Sequence, residues 1–338
     1  MQDCDRHPHR RSLSRWAAAL EVPPPLPRPA HFFVLLCCVV TPPKPARWSR
    51  YGIVTPVLTM LPRAHARWEA TATIDDVRAI AVAADALGYH HLTCSEHVAV
   101  PADAVAIRGG RYWDPLATFG FLAAHTQRIR FATHVLVLGY HHPLAIAKRY
   151  GTLDQISDGR VILGVGVGSL EAEFNLLGAP FADRGARADD ALRSLRAALG
   201  EREPSYDGSH VQFHGFVVDP TAPRRDVPIW IGGRSARSLR RAVELGDGWA
   251  PFGLELDDIA AMLNHHAQQA AWHQRRDALE VWLPSPKPFD PIAAPDATRD
   301  SIRAVRAAGA TGINVRFVHH SLTHYLEQLH ALTELDVD

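Results

Sequence analysis

From Tyr51 onward the sequence alternates, eight times over, between a short apolar run rich in β-branched residues and a longer segment whose apolar residues recur at helical spacing. Strands joined by crossovers of that length run parallel, and a parallel sheet needs helices on its outer face. The runs are Tyr51 to Leu58, His90 to Cys94, Ile129 to Leu138, Arg160 to Val167, Val227 to Gly232, Gly248 to Pro251, Leu279 to Pro284 and Gly312 to Phe317. Eight is the number that closes a ring, so the expected class is α/β, a (β/α)8 TIM barrel over residues 51–338.

The connecting segments carry ordinary helix signals. Thr73-Ile74-Asp75-Asp76 opens a helix running through Ala86 with Gly88 beyond it, and Asp114-Pro115 opens another with proline in its first turn. Ile80, Ala83, Ala84 and Leu87 share one face, as packing on a barrel requires. Ser169 to Asp226 is too long for one connection, so an insertion is expected after the fourth strand. It should hold a helix near Asp189 to Leu199 and a hairpin over the barrel mouth carrying Tyr206, His210, Phe213 and Phe216.

Residues 1–50 are different material, with nine of the 25 prolines and eight Lys or Arg against three Asp or Glu. They read as a Pro/Arg-rich extension outside the barrel, either a disordered leader or codons upstream of the true start. The apolar run from His31 to Val40 is far shorter than the roughly 20 residues that span a bilayer, so no membrane partner is expected. No A-x-A cleavage site follows it within the next twenty residues. The four cysteines include no C-x-x-C pair, which indicates neither zinc nor a disulfide framework. A barrel holding the single thiol Cys94, in a strand, fits a reducing cytoplasm.

With 36 basic and 36 acidic residues the chain lacks the electrostatic footprint of a nucleic-acid binder, and the expected partner is a small molecule. In a parallel barrel the working groups sit at the carboxyl ends of the strands. After the second run comes Ser95-Glu96-His97, where a histidine can exchange a proton near neutral pH. The third run is broken by Thr133-His134-Val135, where a bulge or unusual peptide would turn backbone N–H groups toward a ligand. The adjacent His141-His142 pair points in two directions and lacks an acidic neighbour, so it reads as loop histidines. The fourth run ends in Gly164-Val165-Gly166-Val167-Gly168-Ser169, whose glycines would let backbone approach a flat or anionic ligand. That spacing departs from the dinucleotide fingerprint G-x-G-x-x-G, which disfavours a Rossmann fold. The fifth ends in Gly232-Gly233-Arg234-Ser235 and opens straight into a helix, a ready anion site. His320 and His324, four residues apart on the last helix, lack a metalloprotease glutamate, so no metal site is expected.

Taken together, Ala145-Ile146-Ala147-Lys148, Thr152 through Arg160, Gly164 through Gly168, Glu173-Phe174, Ile229 through Ser235 and Leu245-Gly246-Asp247-Gly248-Trp249 closely resemble the luciferase-like monooxygenase superfamily, from about residue 51 to 335. Within it the chain looks most like the branch of oxidoreductases that use the deazaflavin coenzyme F420. The resemblance implies a homodimeric TIM-barrel enzyme with F420, or alternatively FMN, across its mouth. It implies a non-prolyl cis peptide at His134-Val135 beneath the ring, and His97 near the reacting ring carbon. Glu96 is then expected to orient His97. Thr133, His134, Val135, Gly164, Val165, Gly166, Gly168, Ser169, Gly232, Gly233, Arg234 and Ser235 are expected to hold the cofactor. The expected activity is hydride transfer between carbon 5 of F420 and a small organic substrate, the alternative being oxygenation through FMN. Ser169 stands where sugar-phosphate dehydrogenases of the superfamily carry an acidic residue, and Pro101 where they carry a tryptophan, which speaks against a sugar-phosphate substrate.

Overall fold

The computed structural model describes residues 50–62 and 64–335; the N-terminal extension expected over residues 1–50 therefore lies outside the described residues except for Arg50. The strands are β1 (Tyr51–Ile53), β2 (His91–Cys94), β3 (Arg130–Thr133), β4 (Leu136–Val137), β5 (Val161–Gly166), β6 (Tyr206–Asp207), β7 (Gln212–Phe213), β8 (Ile229–Gly232), β9 (Gly248–Ala250), β10 (Glu280–Pro284) and β11 (Gly312–Val315). The main sheet runs β3-β2-β1-β11-β10-β9-β8-β5-β4, and a further β3–β5 pairing closes it into a ring. All pairings of the ring are parallel. This is the expected (β/α)8 TIM barrel, with its third strand supplied by β3 and β4 in two pieces.

The break is at His134-Val135, whose peptide bond is cis. A strand expected to run unbroken from Ile129 to Leu138 therefore stops at Thr133 and resumes at Leu136. The first strand is also shorter than expected, ending at Ile53.

Local signals set the helices as the sequence indicated. Thr73 caps the helix Ile74–Ala86, and its own N–H donates to Asp76 Oδ2 at 2.7 Å. Asp114 caps Pro115–Ala123 by accepting from the Ala117 N–H at 2.8 Å. The insertion helix begins earlier than expected, spanning Arg184–Ala198. Its Asp190 accepts from the Tyr206 hydroxyl at 2.7 Å and from the His210 and Val211 N–H groups at 2.7 and 2.9 Å, and so fastens the β6–β7 hairpin. The hairpin residues are not among those lining the mouth cavity described below, although Phe213 comes within 6.4 Å of His142, just after β4, between ring centroids.

The amino-terminal half of the barrel interior is filled by rings. Trp230 and Trp282 stack at 5.0 Å between centroids, and His91 meets both edge-on at 5.0 and 4.7 Å. Each of the three rings lies across from a glycine on the neighbouring strand: His91 from Gly52, Trp230 from Gly248 and Trp282 from Gly312. A Cβ at any of those glycines would collide with the opposing ring. The polar motif Asp154 to Arg160 belongs to the same end. Buried Asp154 accepts from the Val161 N–H at 2.9 Å, while Arg160 donates to Ser157 O, Thr126 Oγ1, Ile129 O and Ala123 O. These residues join a helix to β5 and take no part in the mouth.

Candidate functional site

At the carboxyl ends of the strands the barrel opens into a cavity of about 580 Å³. Its walls are mostly apolar, including Val54, Leu61, Phe252 and Phe317, while Ser95, His134, Glu69, His319 and Arg316 supply polar groups. That size and balance suit a small organic ligand.

The cis peptide is held on both sides. Its His134 carbonyl accepts from Ser95 Oγ at 2.7 Å, and the His134 N–H donates to Cys94 O at 2.7 Å. The His134 N–H is thus committed to the sheet and not offered to a ligand. Burial holds the His134 imidazole below its ordinary pKa, so the ring facing the cavity is neutral.

The expected partnership of Glu96 with His97 is not what the fold builds. Glu96 accepts from the Val137 N–H at 2.8 Å and meets His141 Nε2 at 2.7 Å, so its carboxylate anchors β4. His97 instead donates from Nδ1 to Glu173 Oε2 at 2.6 Å. Glu173, on the short helix Glu171–Leu176 after the β5 glycines, also receives the Tyr140 hydroxyl at 2.7 Å and the Val98 and Ala99 N–H groups at 2.6 and 3.2 Å. Burial alone would raise the Glu173 pKa, but the hydrogen bonds from Tyr140, His97 and Ala99 outweigh it and hold the carboxyl below its ordinary value. The Tyr140 hydroxyl is driven well above its usual range, by burial first and then by Glu173, and stays a donor. His97 Nε2 has no partner among the described residues. Ser95 lines the cavity, whereas His97, two residues further along the chain, is not among its lining residues. The chain direction after β2 set the wrong expectation: adjacency suggested Glu96, whereas Glu173 lies 76 residues away.

The glycines of β5 and β8 have a packing role within the barrel wall. A Cβ at Gly164 would collide with Thr133 O, and one at Gly166 would lie 2.7 Å from Val135 Cγ2. One at Gly232 would lie 2.5 Å from Val135 Cγ1. Three of the expected cofactor glycines therefore make room for Thr133 and Val135 of the broken strand; Thr133 is further tied to β5 by its hydroxyl, which donates to Gly164 O at 2.7 Å. Val165 is fully buried in the core. Gly168 has φ +77°, and a side chain there would strike Phe174 and Val137.

Two cations missed in the sequence stand at this turn. Arg108 Nη1 reaches Ser169 Oγ at 3.5 Å, and Arg184 Nε donates to Gly168 O at 3.2 Å. Neither forms an ion pair among the described residues. The two guanidinium groups therefore fit an anionic group such as a phosphate. On β8, Gly233 (φ +128°) turns the chain into the helix Ala236–Leu245, where Ser235 Oγ accepts from the Ser238 N–H at 3.3 Å. Ser235 is thus a cap, and Arg234 beside it is exposed. Among the described residues no cluster of side chains could hold a metal ion, and no helix is long and apolar enough to cross a membrane.

The family model described as luciferase-like monooxygenase matches residues 55–335. An uncharacterized protein of Mycobacterium tuberculosis is 28% identical over 256 residues, covering 70% of this chain and 83% of that protein. A second protein of that organism, whose name assigns it provisionally to the coenzyme F420-dependent oxidoreductases, is 31% identical over 156 residues, or 43% of this chain and 44% of its own. In fold, the chain is similar to the crystal structure of monooxygenase RslO1 from Streptomyces bottropensis, with a TM-score of 0.71 at 19% identity over 84% of this chain and 98% of that one.

Proposed function

The chain belongs to the luciferase-like monooxygenase family, and on that premise we propose that it is a coenzyme F420-dependent oxidoreductase acting on a small organic substrate. The observation that carries the reading is the His97–Glu173 pair, because reduction or oxidation of an organic substrate by hydride needs a proton delivered or removed beside it. Glu173 fixes the Nδ1–H tautomer and leaves Nε2 to exchange that proton. When bound, F420 supplies the two-electron hydride chemistry.

The remaining residues bind and orient. Arg108, Arg184 and Ser169 would hold the phosphate of the cofactor, and the His134-Val135 peptide, set by Ser95, would support its ring. The apolar walls of the mouth exclude water from the reacting groups. FMN is the second reading, because it carries a phosphate that Arg108 and Arg184 would hold equally well. Parallel fluorescence titrations of the full chain with F420 and FMN decide between them. F420 is expected to bind at least tenfold more tightly; the reverse preference would replace the proposal with an FMN-dependent monooxygenase, to be followed by oxygen uptake.

A further inference from the structure

Arg316 follows β11 directly, and in the eight-membered ring of strands β11 stands four places from β5 in either direction. It is therefore diametrically opposite the Gly168–Ser169 turn and its two guanidinium groups. Its own guanidinium is half-buried in the wall of the mouth cavity. One N–H donates to Ser285 O at 3.3 Å, while the backbone N–H donates to Ser285 Oγ at 3.2 Å.

The carboxylates near it are otherwise engaged. Glu69, buried in the same cavity, accepts from the Val57 and Ala66 N–H groups at 2.8 and 2.7 Å and faces His319 Nε2 at 3.6 Å. His319 is in turn fixed by the Trp68 indole N–H, which donates to its Nδ1 at 2.9 Å. Glu255 lies exposed at the N-terminus of the helix Leu256–Ala267. No carboxylate among the described residues comes within ion-pair distance of Arg316. Burial without a counter-ion pulls the guanidinium below its ordinary pKa, and it remains charged at any working pH. A half-buried guanidinium whose one protein acceptor is the Ser285 backbone carbonyl, set among Phe317, Phe252, Leu256 and Pro284, is costly unless something anionic completes it.

We infer that Arg316 is the anchor of a substrate subsite, and that the substrate is an organic acid: an apolar body against the cavity wall and a carboxylate on Arg316. The inference deepens the proposed oxidoreductase reading and rests on the mouth cavity being its substrate chamber. Placing the carboxylate on β11 keeps it away from the cofactor phosphate on β5, so the two anions occupy opposite sides of the mouth.

The test is calorimetric titration of the full chain, with and without saturating F420 or FMN, using octanoate and phenylacetate and the methyl ester of each. Both acids are expected to bind about tenfold or more tightly than their esters, as a charge-assisted hydrogen bond provides. Arg316→Met should remove that preference, and Arg316→Lys should restore part of it, with cofactor affinity unchanged in both. Equal binding of acids and esters to the wild-type chain, or no binding of either, would overturn the inference without recourse to any variant. A preference that survives in Arg316→Met would overturn it as well. Loss of cofactor affinity in Arg316→Met would instead give Arg316 to the cofactor. Failure of both cofactors to bind, with the acid preference intact, would retain the subsite and remove the oxidoreductase reading.

Discussion

Val135 and Gly166 are matched across the barrel wall: a side chain on the glycine would stand 2.7 Å from the valine Cγ2, closer than two carbons can pack. Gly166→Ala is therefore expected to destabilise the protein by roughly 1–3 kcal/mol, the usual cost of overpacking a filled interior. Val135→Ala should relieve the clash, so a double-mutant cycle read by thermal or denaturant unfolding should give a coupling of about 1 kcal/mol or more. Additive effects would mean that something other than Val135 requires glycine at position 166.

Glu173 and Glu96 separate activity from structure. Glu173→Gln keeps the volume but loses the charge beside His97, and kcat should fall by about 10²-fold, the scale of a general acid–base contribution. His97→Ala should cost about as much, and combining the two should add little, because they act as a unit. Glu96→Gln should instead lower stability by roughly 1–3 kcal/mol, since the Val137 N–H and His141 lose a charged acceptor, while kcat in the folded fraction changes by less than tenfold. The kcat of each variant with saturating substrate and cofactor, beside its unfolding curve, checks both. A larger kcat loss in Glu96→Gln would restore the assignment that chain adjacency first suggested.

The barrel was legible because its evidence is periodic: each apolar run and each amphipathic helix repeats the same burial requirement, so errors of a few residues at strand ends did not alter the count of eight. The site was legible only in part. His97, His134 and Ser169 lie where the strand ends put them, at fixed distances along the chain from their strands. Arg108 and Arg184 reach the same turn from separate helices, and no local pattern distinguishes them from ordinary surface charges; Glu173 belongs to the stretch that carries the resemblance, but nothing local pairs it with His97. The glycines are ambiguous for a related reason: a missing Cβ in β5 signals a close approach, and the sequence does not say that Thr133 and Val135 of the neighbouring strand are among the approaching groups.

The hairpin of the insertion hangs on one carboxylate. Asp190 holds Tyr206 and two backbone N–H groups, and these hydrogen bonds, working against the rise that burial alone would cause, keep its pKa below the ordinary value. Asp190→Ala should loosen residues 206–213 while leaving the ring of strands in place. Limited proteolysis should then cut within the hairpin at least tenfold faster than in the wild type. Unchanged cleavage would show that Phe213 packing, and not Asp190, secures it.

The ring-filled end of the barrel makes stability depend on pH. His91 is fully buried, with its Nε2 on Asn314 Oδ1 at 2.8 Å and its Nδ1 on His90 Nδ1 at 2.9 Å, an arrangement that uses one hydrogen between the two δ nitrogens. Burial drives His91 well below its ordinary pKa of 6.5 and His90 down to about 3, with Arg130 adding to the latter. Both are neutral in the fold, whereas in the unfolded chain each takes up a proton near pH 6.5. The unfolded state therefore binds more protons below that pH, and stability is full above it and falls as the pH drops toward 3. Each histidine contributes a slope of about 1.4 kcal/mol per pH unit across that window. His91→Gln keeps a polar side chain that does not titrate. Its denaturant midpoints, compared with those of the wild type between pH 7 and 4.5, should show the decline shallower by about 1.4 kcal/mol per unit. Parallel curves for the two proteins would mean that water reaches His91 and that the plug of Trp230 and Trp282 does not seal this end of the barrel.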